Sequence, residues 1–86
     1  MLDIQFIGSA WADIGWWIKN DPKTAFKIQE LIFIAARTPF LGIGKPEPLK
    51  GNYKGYWSRR ITQEHRLIYK VEKDRITIIS AIGHYR

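Results

Sequence analysis

Apolar and polar positions change their period along this chain, and each change marks an element. Residues 2 to 7, LDIQFI, alternate weakly and are apolar enough for a short strand that ends at Gly8. From Ala10 the period lengthens: Ala10, Ile14, Trp17 and Ile18 recur at helical spacing, with Ser9 placed to cap them. DPKT, residues 21 to 24, is a cleaner start signal, because Asp21 can cap and Pro22 takes the first helical position, where a missing N–H costs no bond. The helix it opens turns Ala25, Ile28, Leu31, Ile32 and Ala35 to one side and stops before Pro39. Two short helices so closely linked predict a helical hairpin, and its tryptophans Trp11, Trp16 and Trp17 are expected to serve mainly as core.

Residues 38 to 55 carry Pro39, Gly42, Gly44, Pro46, Pro48, Gly51 and Gly55, which predicts a structured loop rather than an element. Three runs rich in β-branched and aromatic residues follow, YWSRRI, HRLIYKV and RITIISAI, joined by links short enough for hairpins. In HRLIYKV the alternation sends Leu67, Tyr69 and Val71 to one face, suited to a core, and Arg66, Ile68 and Lys70 to the other. In YWSRRI, Tyr56, Ser58 and Arg60 share a face while Trp57 and Arg59 share the opposite one. The expected architecture is a single α+β domain over residues 1 to 86: an N-terminal strand, a two-helix hairpin, then an antiparallel meander. The helices pack on one sheet face, and the other is left for a site.

Composition narrows the chemistry. The 86 residues contain no cysteine, so there is no disulfide, no thiolate nucleophile and no cysteine zinc site, and the two histidines stand far apart in sequence, so no metal or other cofactor is expected. No apolar run is long enough to cross a bilayer, and MLDIQF carries an acid where a secretory signal carries bases, which predicts a cytoplasmic protein without membrane contact. The net charge of +6 is unevenly spread: residues 1 to 44 balance four bases with four acids, whereas residues 45 to 70 hold seven bases against Glu47 and Glu64. Such segregation draws in a polyanion, of which nucleic acid is the commonest in a cytoplasm; an unspecialised basic surface is the alternative.

Within GKPEPLKG, residues 44 to 51, Glu47 stands between two prolines flanked by Lys45 and Lys50. The prolines restrict φ on both sides, so the carboxylate is presented with less entropy left to lose. If the open face binds RNA, cleavage without a metal requires a base for the 2′-hydroxyl, an acid for the leaving oxygen and positive charge at phosphorus. Glu47 is the candidate base and His84 the candidate acid. Arg60 and Arg66 are candidate phosphate ligands, since a guanidinium donates two bonds to adjacent oxygens. Lys45 and Lys50 would hold the backbone, and Tyr85 could stack on a base beside His84. Each has a plainer alternative: Glu47 paired with a neighbouring lysine, Arg66 as a surface arginine, His84 as a terminal residue. His65 reads as a structural residue at a strand start in preference to a second acid.

Residues 39 to 69, PFLGIGKPEPLKGNYKGYWSRRITQEHRLIY, together with HY at 84 and 85, AW at 10 and 11 and DPKT at 21 to 24, resemble the YoeB (Txe/YoeB) toxins of bacterial type II toxin–antitoxin systems, in the RelE superfamily. The resemblance implies a microbial-ribonuclease-like fold and a metal-independent endoribonuclease, an mRNA interferase that cuts mRNA in the ribosomal A site and halts translation. It implies a cognate YefM-type antitoxin that wraps the toxin, and frequent homodimers. Carried over by position, Glu47 matches the general base, Arg60 and Arg66 the phosphate-binding arginines, His84 the general acid, Lys50 a supporting lysine and Tyr85 the terminal tyrosine. Two departures stand out: Ile82 occupies a position that is basic in many relatives, and Arg86 follows the tyrosine. The competing expectations are a non-catalytic ParE-like gyrase inhibitor of the same superfamily and a basic nucleic-acid-binding module.

Overall fold

The computed structural model describes residues 1–83. Its elements in chain order are β1 (Asp3–Phe6), α1 (Ala10–Asn20), α2 (Pro22–Arg37), β2 (Glu47–Pro48), a 3-10 turn (Gly51–Tyr53), β3 (Tyr56–Arg60), β4 (Arg66–Val71) and β5 (Arg75–Ser80). The α+β architecture is as expected, with α1 and α2 packed on one face of a single five-stranded sheet. The strand order is β1-β5-β4-β3-β2; β1 lies parallel to β5, and the other pairs are antiparallel. Among the described residues no helix is long and apolar enough to cross a membrane.

Local chemistry accounts for the elements. Gly8 has φ 58 and turns the chain out of β1. Asp21 caps α2 through bonds from the Thr24 amide (3.3 Å) and hydroxyl (2.6 Å), and these bonds, the hydroxyl's first, hold its carboxyl below the usual aspartate range. Ser9 occupies the cap position of α1 without a side-chain bond. The core joins Ala10 and Trp17 of α1, Ile28, Leu31, Ile32, Ala35 and Ala36 of α2, and Leu67, Tyr69, Ile76 and Ile78 of the sheet.

Three expectations are corrected. Trp11 and Trp16 are not core: they are 67% and 49% exposed, because an 11-residue helix has one inward stripe and Ala10 and Trp17 occupy it. Ile18 is likewise outward, at 59%. Residues 38 to 55 are not purely loop, since Glu47–Pro48 forms the edge strand β2 against β3. An edge is where proline is tolerated in a sheet, its missing N–H facing outward. Finally, the sheet face away from the helices is not wholly open, because Ile68 at its centre is 1% exposed.

Candidate functional site

The proline-flanked acid owes its place to a turn that only glycine can make. Gly44 has φ 84, and a Cβ there would meet Leu31 Cδ2 at 2.9 Å and Arg59 Cβ at 3.1 Å. Its carbonyl accepts the Arg60 N–H at 2.6 Å, tying the loop to the end of β3. Lys45 follows with φ 49, a left-handed conformation uncommon for a residue with a side chain. The two residues together swing the chain so that Glu47 falls opposite Ser58 in the sheet.

The register decides what lies near that carboxylate. Glu47 pairs with Ser58, Ser58 with Ile68, and Ile68 with Ser80, forming one row across four strands. Two residues along β3, Arg60 pairs directly with Arg66 of β4. Side chains alternate in strands, so Glu47, Ser58, Arg60 and Arg66 all stand on the face away from the helices. One strand spacing of about 5 Å and two residues of about 7 Å separate Glu47 from Arg60. On the other side of the Glu47 row, Tyr56 pairs with Lys70, whose ammonium lies 5.7 Å from the Tyr56 ring centre.

Each group is presented differently. Glu47, Lys45, Lys50 and Arg60 are exposed, and among the described residues Glu47 makes no ion pair with Lys45, Lys50 or any other base. Arg66 is half-buried and braced: its Nη1 donates to the carbonyls of Thr62 (2.7 Å), Gln63 (3.0 Å) and His65 (3.1 Å). All its side-chain bonds to described residues run through Nη1, so Nε and Nη2 remain available to a ligand. A carboxylate beside two guanidiniums on a sheet face can accept a proton while the arginines neutralise an oxyanion. His84 and Tyr85 lie outside the described residues.

Arg59 is withdrawn from the basic segment whose charge was read as facing a polyanion. It is fully buried on the helix side, where Nε donates to the Tyr69 hydroxyl (2.9 Å), Nη1 to Ile43 O (3.0 Å) and Nη2 to Thr38 O and Leu41 O (both 2.7 Å). Tyr69 in turn donates to Pro39 O at 2.8 Å. Burial raises the Tyr69 hydroxyl pKa, against the pull of Arg59. The pair straps the loop that leads to Glu47 onto the sheet. Alternation put Arg59 and Arg60 on opposite faces, but nothing in the alternation said which face held the core. Tyr56 and Lys70 stand on the same face as Glu47, brought there by the β2–β3 and β3–β4 registers together.

A second surface feature belongs to the helices. Trp11, Ile18, Phe26 and Phe33, all exposed, line an apolar groove of about 520 Å³ with Phe6 and Ile14.

Comparison with known proteins gives a consistent picture. The model of the YoeB-like toxin of bacterial type II toxin–antitoxin systems matches residues 6–85. Toxin YoeB of Mycobacterium bovis is 49% identical over 85 residues, covering 99% of this chain and all of the relative. Among solved structures, a YoeB/ParE toxin from Agrobacterium tumefaciens superposes with a TM-score of 0.93 at 46% identity, over 98% of this chain and 100% of that one. A YoeB dimer from Staphylococcus aureus scores 0.89 at 46% identity, over 98% of each chain. A YoeB-YefM complex from the same organism scores 0.87 at 44%, over 99% of each.

Proposed function

Since the chain belongs to the YoeB-like toxins of bacterial type II toxin–antitoxin systems, we propose that it is an endoribonuclease that cuts mRNA in the ribosomal A site without a metal and so stops translation. The observation that carries this reading is the placement of Glu47, Arg60 and Arg66 on one sheet face, with the acid free of ion pairs among the described residues. Glu47 takes the proton of the 2′-hydroxyl, and the freed oxygen attacks the adjacent phosphorus. Arg60 and Arg66 donate to the non-bridging oxygens as negative charge builds there. The bond to the 5′-oxygen breaks, and His84 protonates that oxygen, leaving a 2′,3′-cyclic phosphate and a 5′-hydroxyl. Lys45 and Lys50 hold the RNA backbone beside Glu47, and Tyr85 stacks on a base.

Positioning of the reacting groups and stabilisation of the charge that builds on the phosphate carry much of the rate. The protein acts in the cytoplasm, where ribosomes are. A YefM-type antitoxin is its partner, in keeping with the complex formed by the staphylococcal relative, and homodimers form as that relative's do. The apolar groove over α1 and α2 is surface of the kind that a partner chain covers.

The test adds wild-type and Glu47→Ala protein, with no metal ion beyond the magnesium that the ribosome itself requires, to ribosomes stalled on a defined mRNA and maps the new 5′ ends. Expected are cuts in the A-site codon with 5′-hydroxyl ends, slowed about 10²–10⁴-fold in the mutant. Absence of cleavage by the wild type would overturn the nuclease reading, and gyrase inhibition would then be the property to assay.

A further inference from the structure

Two of the three residues that precede His84 in the chain, Ala81 and Gly83, are held by side chains from elsewhere in the fold. Ala81 is fully buried; its N–H donates to Asp13 Oδ2 and its carbonyl accepts from Trp17 Nε1, both at 2.9 Å. Asp13 and Trp17 are one turn apart on α1 and so act from one helix face. Gly83 is held on both sides as well: its N–H donates to His65 Nδ1 at 2.9 Å, and its carbonyl accepts the Arg66 N–H at 2.7 Å. Gly83 has φ 74, a conformation that a residue with a Cβ adopts at a cost.

His65 is itself braced. Its ring meets Trp17 edge to face, with centroids 5.0 Å apart and planes at 88°. Its amide donates to Thr62 Oγ1 at 3.1 Å, and its carbonyl accepts from Ile61 and Thr62. An imidazole that accepts at Nδ1 carries its proton on Nε2. The β4–β5 register runs only as far as Ile68 and Ser80, so the Gly83 amide is held by a side chain beyond the paired strands.

We propose that His65 is a positioning residue: by accepting the Gly83 amide at Nδ1 it fixes the point from which the chain presents His84 to the leaving 5′-oxygen. The role rests on the reading of His84 as general acid. His65 and Arg66 are consecutive, so a single dipeptide carries the mount of the acid on one residue and a phosphate-binding guanidinium on the next.

Asparagine at 65 can place Oδ1 where Nδ1 stands; glutamine carries its acceptor one bond too far, and leucine has none. The full-length protein is tested in single-turnover A-site cleavage over a range of ribosome concentrations, with Gly83 amide exchange followed by NMR on the free protein. His65→Leu and His65→Gln should lose about 10–100-fold in maximal rate, as displacement of a reacting group by an ångström does, with the half-saturating concentration moved by less than about threefold. Gly83 exchange should accelerate in both. His65→Asn should recover most of the rate and the protection. In a His84→Ala background, His65→Leu should cost nothing further, because both changes act through the same group.

Wild-type rate in His65→Gln, equal activity of the asparagine and glutamine variants, or a full additional loss in the His84→Ala background would each overturn the proposal. If His65→Leu does not fold, the asparagine–glutamine contrast decides. Unaltered Gly83 exchange in His65→Gln would overturn the anchor itself. A wild type that does not cut, or His84→Ala cutting at the wild-type rate, would instead bring down the reading beneath it, and the exchange data tell the two failures apart.

Discussion

Replacing Arg59 by lysine keeps the charge and removes the fork. The guanidinium makes four bonds from three nitrogens, to the Tyr69 hydroxyl and to the carbonyls of Ile43, Thr38 and Leu41. A lysine ammonium is one nitrogen at one point and cannot serve acceptors spread around a planar fork, so at least two of the four are lost. Hydrogen bonds to charged groups contribute about 1.5–3 kcal/mol each. Thr38 and Leu41 are exposed and their carbonyls rehydrate, which puts the net loss at about 2–4 kcal/mol. An 86-residue domain has roughly 4–13 kcal/mol in total, and each kcal/mol moves Tm by about 4–8 °C. Thermal unfolding followed by far-ultraviolet circular dichroism should therefore show Tm lowered by roughly 10–30 °C. Tyr69→Phe, which removes the hydroxyl but leaves the ring, should cost about 1 kcal/mol, and the double mutant less than the sum of the two. An Arg59→Lys protein melting within about 3 °C of wild type, well below the expected shift, would refute the account of the strap.

Other outcomes follow from the same geometry. Arg66→Lys should cleave about 10-fold or more slowly and resemble Arg66→Ala in single-turnover assays, because an oxyanion held by two parallel N–H groups needs the fork; full rescue by lysine would mean that charge alone matters. Gly44→Ala should lose about 1–3 kcal/mol in urea denaturation, since its Cβ meets Leu31 and Arg59 in a left-handed backbone, and it should also slow cleavage by displacing β2. Asp21→Ala should destabilise the fold at neutral pH. The folded carboxyl titrates below its ordinary value of 3.8, so its contribution is complete above that value and is lost as pH falls through the lower folded one. Urea midpoints of wild type and mutant should accordingly converge in acid.

Much of the fold was legible because it rests on local preferences. Period, capping and turn chemistry act within a few residues, and they located β1, both helices and the three runs of the meander close to where they stand. Asp21 and Pro22 start α2 for reasons contained in four residues. The same local logic marked Glu47 as an acid held stiffly. It did not show that the holding is an edge strand, because two prolines and two glycines look like loop until β3 is beside them.

What the tertiary structure decided is non-local. Alternation sends Arg59 and Arg60 to opposite faces, but which of them is buried depends on where α2 and the loop of residues 38 to 43 pack, so a charge that looked available to a ligand is consumed inside. Helical spacing allows four apolar residues of α1 to point inward, yet a helix covers a sheet with one stripe, and Trp11 and Ile18 are left on the groove. The parallel pairing of β1 with β5 joins the two ends of the described chain, a contact with no local signal. The residues of the candidate site were therefore legible in the sequence, as an acid between prolines and two arginines in runs of strand. Its assembly was not: Glu47 and Arg66 share a face only because backbone hydrogen bonds set β2, β3 and β4 in one register, and a slip of a single residue would send a strand's side chains to the opposite face.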